Sequence, residues 1–293
     1  MVIWIQGSIS GLMMGGVYAI VSAGLSLIFG VMRIVNFAHG DFLMAAMYAV
    51  WGLVTFAGID PYVSIFVIAP VFFMIGYCFQ KFFINGILRK ERNVESPNIR
   101  LFTVGFAWFL SNLALMVFKA NSKVSRTAYM GKTFLIGQVY ISQPRFYAFL
   151  IAVTATVLMW FFLQRSEMGR ALRAVSQNRF TARLMGINVD QLYCIAFGIG
   201  IALVAIAACI LIPFFYVYPR VGAVFGTKSF VIVVLGGMGS IPGAMIGGLF
   251  IGIAESLVSQ TFGPSYGDLA VFLLFIIILL ARSSSVSLKK RSK

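Results

Sequence analysis

The single histidine, His39, and the carboxylate of Asp41 are the first side chains in the sequence that could do chemistry. A histidine and an aspartate two positions apart do not share a helical face, and no serine or cysteine nucleophile lies nearby to complete a triad. One histidine with one carboxylate is also too few ligands for a zinc site. The sequence therefore predicts no catalytic residue and no metal site.

Gly131-Lys132-Thr133 resembles the end of a phosphate-binding loop. The full motif requires a glycine five residues before Gly131, and that position is Arg126. We therefore expect this chain to bind no cofactor, so any ATP that drives it is bound with magnesium by another chain. The three cysteines, Cys78, Cys194 and Cys209, lie in apolar stretches and are expected to behave as small buried hydrophobic residues.

The composition identifies the elements that must position these residues. Of 293 residues, 60% are apolar and only 11% are charged, and the mean hydropathy is +0.96. A soluble protein cannot bury so much apolar surface, which excludes a soluble enzyme, a disordered chain and a nucleic-acid-binding domain. The sequence predicts an all-α bundle of transmembrane helices, formed by residues 1–293 as one domain in contact with lipid.

Apolar segments recur along the whole chain, and most of them are long enough to cross a bilayer, although the seventh is short. There are nine, at about 3–31, 37–57, 62–86, 101–118, 146–163, 192–217, 223–238, 243–261 and 267–282. The first is too long for one straight helix, and Gly11, Gly15 and Gly16 predict a break in it. No basic residue precedes this segment, so we expect no cleaved leader. The loops, of which 119–146 is the longest, contain too few apolar residues for a further domain.

The distribution of basic residues predicts the orientation. Sixteen of the 23 lysines and arginines lie at 33, 81, 87–100, 164–191 and the C-terminal tail. The opposite side has seven, at 119–146, Arg220 and Lys228. Because cytoplasmic loops of membrane proteins are enriched in basic residues, we expect the N-terminus outside and the C-terminus in the cytoplasm. The number of crossings is then odd: nine, or seven if 223–261 enters and returns on one side.

Two polar or glycine-rich places within the apolar segments allow two interpretations each. Residues 36–41 form either a polar turn, with Asn36 or Asp41 capping a helix, or a polar kink that lines a translocation path. The glycines of 236–252 allow close helix packing. Alternatively, the break at residues 240–243 exposes a helix N-terminus to a substrate carboxylate. Glu255 follows on the same segment.

The segment 164–191 predicts a cytoplasmic helix from Met168 to Met185, ended by Gly186. Residues of one face recur at helical spacing: Ala171, Ala174, Asn178, Ala182 and Met185. Helices that lie on lipid normally present bulky apolar residues, whereas a stripe of small residues suits a groove on a partner protein. The arginines Arg173, Arg179 and Arg183 lie off this stripe.

Three motifs together resemble the branched-chain amino-acid ABC-importer permeases of the LivH type. They are residues 30–41 (GVMRIVNFAHGD), residues 168–174 (MGRALRA) continuing to 184–187 (LMGI), and residues 235–243 (LGGMGSIPG) with Glu255 and Ser256. They occur in the family's order over nearly the whole chain. The resemblance implies a permease subunit of the bacterial inner membrane, without enzymatic activity of its own. Its implied partners are a second related permease, two cytoplasmic ATPases and a periplasmic binding protein.

The resemblance and the residue patterns define two candidate sets of functional residues. For coupling to the ATPases, we select Glu167, Gly169, Arg170, Ala171, Arg173, Ala174, Asn178, Ala182 and Gly186. For the translocation path, we select Asn36, His39, Gly40, Asp41, Gly237, Gly239, Ser240, Pro242, Gly243 and Glu255.

The expected cargo is leucine, isoleucine or valine. Urea, short amides or other amino acids are the alternatives within the family. An ion-coupled secondary transporter or a passive channel is the alternative outside it, and the docking segment at 164–191 argues against both.

Overall fold

The computed structural model describes residues 2–90, 97–125, 127, 129–137 and 139–291, and this part of the chain is almost entirely helical. The helices are α1 Val2–Met32, α2 His39–Ala57, α3 Ile65–Phe79, a π-helix Gln80–Ile84, α4 Asn85–Lys90, α5 Pro97–Phe118, α6 Gln143–Arg165, α7 Glu167–Gln177, α8 Arg179–Leu184, α9 Val189–Leu211, α10 Val221–Gly236, α11 Ile241–Phe262 and α12 Pro264–Arg291. The strands are β1 Thr133–Ile136 and β2 Val139–Ser142. The predicted all-α bundle is confirmed.

Seven helices are long and apolar enough to cross a membrane, namely α1, α2, α3 with its continuation to Leu88, α5, α6, α9 and α11. Two shorter apolar helices, Val221–Gly236 and Pro264–Leu280, complete the nine predicted segments. The chain is therefore a multi-pass helical protein, as its composition predicts.

The bundle has two ends, which differ in the elements that lie there. We call the end with β1 and β2 the hairpin end, because Gln6 near the start of α1 exchanges two hydrogen bonds with the backbone of Tyr140. We call the other the coupling end, because α7 lies there beside the end of α1. The turn between α10 and α11 also lies at the coupling end, where Gly239 packs against Gly30.

Helix α1 is continuous over 31 residues, so the predicted break at Gly11, Gly15 and Gly16 is wrong. These glycines provide close contacts instead. A Cβ on Gly15 would lie 2.8 Å from Leu249 Cα, and a Cβ on Gly11 would lie 2.6 Å from the Gly252 carbonyl oxygen, both in α11. Glycine inside a helix lowers its intrinsic stability by about 1 kcal/mol relative to alanine, but close packing with a neighbouring helix offsets that cost.

The loop 119–146 contains a two-stranded antiparallel hairpin, which the sequence patterns do not indicate. Thr133 pairs with Ser142, and Ile136 pairs with Val139 across the turn. The rest of the loop is attached to the bundle by backbone hydrogen bonds between Lys123 and Val217. The hydroxyl of Tyr129 donates to the Asp60 carboxylate at 3.0 Å. Burial and this hydrogen bond raise the pKa of Tyr129, so it remains a protonated donor.

Candidate functional site

A cavity of about 400 Å³ lies at the coupling end, between α1, α6, α7 and the turn that joins α10 to α11. It combines residues from both candidate sets. Arg173 and Ser176 contribute from α7, Gly30 contributes from α1, and residues 239–242 contribute from the turn and the start of α11. The predicted coupling segment and the predicted helix break therefore border the same cavity.

The break between α10 and α11 is built from glycine conformation and a serine cap. Gly237 and Gly239 have φ angles of +91° and +93°, which side chains other than glycine rarely adopt. Ser240 caps α11 because its hydroxyl accepts a hydrogen bond from the Gly243 amide at 3.1 Å. Pro242 lies in the first turn, as expected.

Both interpretations of the glycine-rich stretch 236–252 describe part of the structure. The helix is discontinuous at residues 237–240, and the N-terminus of α11 borders the cavity. Close packing follows further along, where a Cβ on Gly248 would lie 2.6 Å from the Ala19 amide nitrogen in α1. At the break itself, Gly236 of α10 and Gly243 of α11 are in direct backbone contact. A side chain at either glycine would collide with the backbone of the other.

The predicted continuous helix from Met168 to Met185 is wrong, since it is divided into α7 and α8 at Asn178. Asn178 is extended, with φ −153°, and its side chain accepts hydrogen bonds from the amides of Phe180 and Thr181. Asparagine competes well for helix caps, and here that preference prevails over continuation of the helix. Asn178 is therefore a cap and not a member of a helical stripe.

The division of the helix also changes which side chains are exposed. Ala182 is buried against the rest of the chain, whereas Ala174 is exposed, so the predicted small-residue stripe is not one surface. Bulky residues of α8 and its C-terminal end are exposed instead: Phe180 is 69% exposed, Leu184 72% and Met185 78%. We call these three residues the α8 knob. Their side chains are the most prominent apolar surface of the segment.

Local contacts attach α7 to the end of α6. Ser166 caps α7 by accepting from the Gly169 amide at 2.9 Å, and Arg173 donates to the Leu163 carbonyl. A Cβ on Gly169 would collide with that same carbonyl, so only glycine allows this tight corner. Arg170 forms an exposed ion pair with Glu167, whereas Ala171 is half-buried and Gly186 is exposed. These contacts fix α7 relative to the end of a membrane-spanning helix.

Residues 36–41 lie away from the cavity, where α2 begins against α1, α5 and α10. His39 donates from Nε2 to the Val21 carbonyl in α1 at 2.9 Å, and Ser111 donates to the Asp41 carboxylate at 2.6 Å. The Asn36 side chain accepts from the Ala38 amide, and Gly40 packs on the backbone of α10. Asn36, His39 and Asp41 are buried, so their role in a path stays a prediction.

Glu255 lies apart from both the cavity and residues 36–41. It is part of a cluster of charged side chains that the sequence patterns do not indicate. Lys228 was counted among the seven basic residues of the opposite side, but it lies within α10 with a side chain only 10% exposed. Its ammonium group is 2.7 Å from Glu255 and 2.8 Å from Asp268. The sequence does contain an indication of this cluster, because a lone lysine inside the apolar segment 223–238 requires a buried partner. The corrected loop count on the hairpin side is six basic residues.

The cysteines and the segment Gly131-Lys132-Thr133 lie outside both candidate sets. Cys194 and Cys209 are buried as predicted, while Cys78 is half-buried and so departs from that prediction. In the described ranges, no group of three histidine, cysteine or acidic side chains lies close enough to hold a metal ion. Thr133 begins a strand, so the helix N-terminus that a phosphate-binding loop requires does not follow Gly131-Lys132.

The bundle, with its helix break and its segment at the coupling end, is that of a multi-pass membrane protein. A family model described as the permease component of branched-chain amino acid transport systems matches residues 8–281, and the chain belongs to this family.

Several named relatives are similar over almost the whole chain. The permease protein BraD of a high-affinity branched-chain amino acid transport system of Pseudomonas aeruginosa is 31% identical, over 97% of this chain and 95% of its own length. The permease protein LivH of the corresponding system of Escherichia coli K12 is 30% identical over the same shares. The D-allose transport system permease protein AlsC of Escherichia coli K12 is 26% identical, over 97% of this chain and 83% of its own.

The contact between Gly236 and Gly243 generates a prediction about transport. Gly243→Ala places a methyl group against the Gly236 carbonyl, and overpacking of this kind costs about 1–3 kcal/mol. We expect a lower thermal unfolding midpoint in detergent and at least a severalfold loss of uptake. Gly105→Ala is the matched control, because its Cβ meets open space on α5. Equal stability and uptake in both variants would show that this backbone contact does not matter.

Proposed function

We propose that this chain is the transmembrane permease subunit of an ATP-driven importer of the bacterial inner membrane. A second permease subunit, two ATPases that bind ATP with magnesium, and a periplasmic binding protein complete the transporter. The observation that carries the proposal is the shared cavity at the coupling end, where α7 borders the break between α10 and α11. The segment that we expect to contact the ATPases is thereby adjacent to an irregular part of the spanning bundle.

The cargo we propose is leucine, isoleucine or valine. Support comes from the names of BraD and LivH, each of which aligns with nearly the whole chain. AlsC is named for D-allose and is also similar over 97% of this chain, so this similarity alone does not choose the cargo.

The coupling mechanism we propose begins at the α8 knob. An ATPase that closes on ATP moves the knob and α7 with it, because Asn178 caps α8 directly at the end of α7. The bond from Arg173 to the Leu163 carbonyl transmits that movement to α6. Residues 239–242 of the turn border the same cavity as α7, so the movement changes the space between them. The chain therefore has two states, one before and one after the ATPases close, which differ in these contacts. Only such a difference lets the ATPases shift the balance between the two states.

The proposed knob contact is tested by truncating Phe180 or Leu184 to alanine. Removing a central apolar side chain of an interface commonly costs more than about 1 kcal/mol, which corresponds to about fivefold in association. We expect weaker co-purification of the ATPases and lower ATP-dependent uptake. Leu158→Ala is the matched control, since Leu158 is 62% exposed on α6, in a spanning helix.

Two further variants separate a protein contact from a lipid contact. Ala174 is exposed, and Ala174→Trp should also weaken association if α7 lies at the ATPase surface. If the knob lies on lipid instead, Ala174→Trp should strengthen membrane binding and the alanine variants should leave ATPase co-purification unchanged. Ala182→Trp is not informative, because Ala182 is buried within the chain and the change would displace α8 itself.

The orientation we propose places the coupling end in the cytoplasm and the hairpin end outside. Support comes from the basic residues, of which sixteen lie on the predicted cytoplasmic side and six on the opposite side once Lys228 is left out. In a background without native cysteines, Asn178→Cys should react with a membrane-impermeant maleimide only in inverted vesicles. Lys132→Cys, in the exposed turn before β1, should react only in right-side-out vesicles. Reversed labelling of both positions would contradict the orientation and the proposed ATPase contact.

A further inference from the structure

A second cavity lies at the coupling end, between the end of α1, the junction of α7 with α8, and the first two turns of α9. Two arginines line it, Arg33 directly after α1 and Arg179 at the start of α8, and we call it the arginine cavity. Its volume is about 210 Å³, which leaves room for a small anion with bound water, since one water occupies roughly 30 Å³. It adjoins the first cavity, because Val31 and Ser176 line both.

The charges around the arginine cavity are mostly positive. Tyr193 of α9 also lines it. The groups whose charges act on the Tyr193 hydroxyl are, among the described residues, Arg33, Arg179, Arg183 and Asp190. Three arginines and one aspartate leave a net charge of +2, and Asp190 already pairs with Arg183 at 2.9 Å. Such a surplus beside an enclosed space attracts an anion.

Two of the lining groups lack a partner. The Arg33 guanidinium forms no hydrogen bond and no ion pair within the part of the chain that the structure describes. The Tyr193 side chain is only 4% exposed, and its hydroxyl has no hydrogen-bond partner in those same ranges. An unpartnered hydroxyl on so buried a side chain is uncommon, and a ligand or water usually satisfies it.

Arg33 also has an unusual backbone conformation. Its φ angle is +55°, which lies in the left-handed region. A left-handed residue often ends a helix, but glycine or asparagine usually takes that position because other side chains are strained there. The chain therefore keeps an arginine at the end of α1 at a conformational cost, which indicates a use for its guanidinium group.

We propose that the arginine cavity binds a phosphate group. The guanidinium groups of Arg33 and Arg179 pair with its oxygens, since their planar sets of N–H donors fit phosphate well. The Tyr193 hydroxyl donates a further hydrogen bond. A phosphate group has enough oxygens to accept from donors of three separate elements, whereas a carboxylate has only two oxygens. Phosphate therefore fits this arrangement better than a carboxylate does.

Two sources can supply this phosphate group. The cavity lies at the ends of α1 and α9, which are both long and apolar enough to cross a membrane, and lipid headgroups lie at such ends. A soluble phosphate enters from the water at the same end. Either ligand joins the end of α1 to the start of α8, beside the α8 knob. The site concerns binding by this chain alone and does not rest on the proposed function.

The first experiment measures whether phosphate binds and which source supplies it. The full-length chain is purified in nonionic detergent and washed free of lipid. Equilibrium dialysis at constant ionic strength then uses radiolabelled inorganic phosphate and, separately, radiolabelled dihexanoyl phosphatidylglycerol, with protein-free micelles as the background. We expect saturable binding of at least one probe. Tighter binding of the lipid assigns the site to a headgroup, and tighter binding of inorganic phosphate assigns it to a soluble ligand.

A competitor tests the class of anion. Acetate has one charge and two oxygens, so it leaves one of the arginine contacts unmade. We expect acetate to displace either bound probe at least about tenfold more weakly than unlabelled phosphate or lipid does. Equal displacement by acetate would show a general site for carboxylates, such as an acidic side chain of a partner, and would overturn the phosphate site. No saturable binding of either probe would overturn it as well.

Charge variants then locate the binding. Arg33→Gln and Arg179→Gln should each weaken binding of the bound probe by about tenfold or more, because each removes a charged contact. Arg165→Gln is the matched control, since Arg165 is exposed at the end of α6 and lines neither cavity at this end. Equal weakening in all three variants would show diffuse attraction by the positive surface and would contradict a built site.

Two further variants keep the test valid if a glutamine variant does not fold. Arg33→Gly should not lower the thermal unfolding midpoint of the ligand-free chain, because glycine adopts a positive φ without strain, yet it should abolish the Arg33 contact and weaken binding by about tenfold. Tyr193→Phe removes only the hydroxyl and should weaken binding severalfold. If Arg33 serves the fold alone, Arg33→Gly lowers the midpoint and leaves binding unchanged, which would overturn the site.

The outcomes separate this site from the proposed function. None of these measurements uses ATP, an ATPase or a transported solute. Loss of the site would therefore leave ATP-driven uptake untouched as a test of the importer. Saturable phosphate binding that depends on Arg33, Arg179 and Tyr193 would stand even if the chain transported nothing.

Discussion

The structure depends on the close approach of other helices to α1, which runs through the bundle for 31 residues. Glycines allow it at several levels: Gly11 and Gly15 face α11, Gly24 faces the Gly200 carbonyl of α9, and Gly30 faces Gly239. In a bilayer, apolar side chains gain little by leaving lipid for another helix, so packing at short distance becomes the main attraction. The most extensive contacts of α1 are those with α11.

This arrangement places the irregular backbone of residues 237–240 against the end of α1 and beside a cavity. Exposed backbone groups at membrane depth are tolerated only when protein or water covers them. The break at 237–240 is covered by the end of α1 on one side, and on the other it borders a cavity with α7. Helix α1 therefore contacts this irregular turn, and α7 borders the same cavity as the turn. The charged cluster of Lys228 lies on the same helix α10, between that turn and the hairpin end.

The amino-acid sequence predicts most of the fold and part of the site. The nine segments are found because a span needs about twenty apolar residues, and Pro242 locates the start of α11. The glycines of α1 were misinterpreted because a helix break and a helix contact require the same residue type. Asn178 was assigned to the stripe of one continuous helix because the spacing of small residues does not show where a side chain caps a new helix. The partners of Lys228 lie 27 and 40 positions away, and only the fold brings them together.

The central claim is that this chain moves its cargo with energy from ATP bound by partner subunits. The most direct measurement uses proteoliposomes that contain the complete complex, with ATP enclosed on the side of the coupling end and binding protein with labelled leucine on the other. The account predicts leucine accumulation that requires both ATP and binding protein and that persists when ionophores remove all ion gradients. Accumulation driven by an ion gradient without ATP, or mere equilibration in either condition, would contradict it.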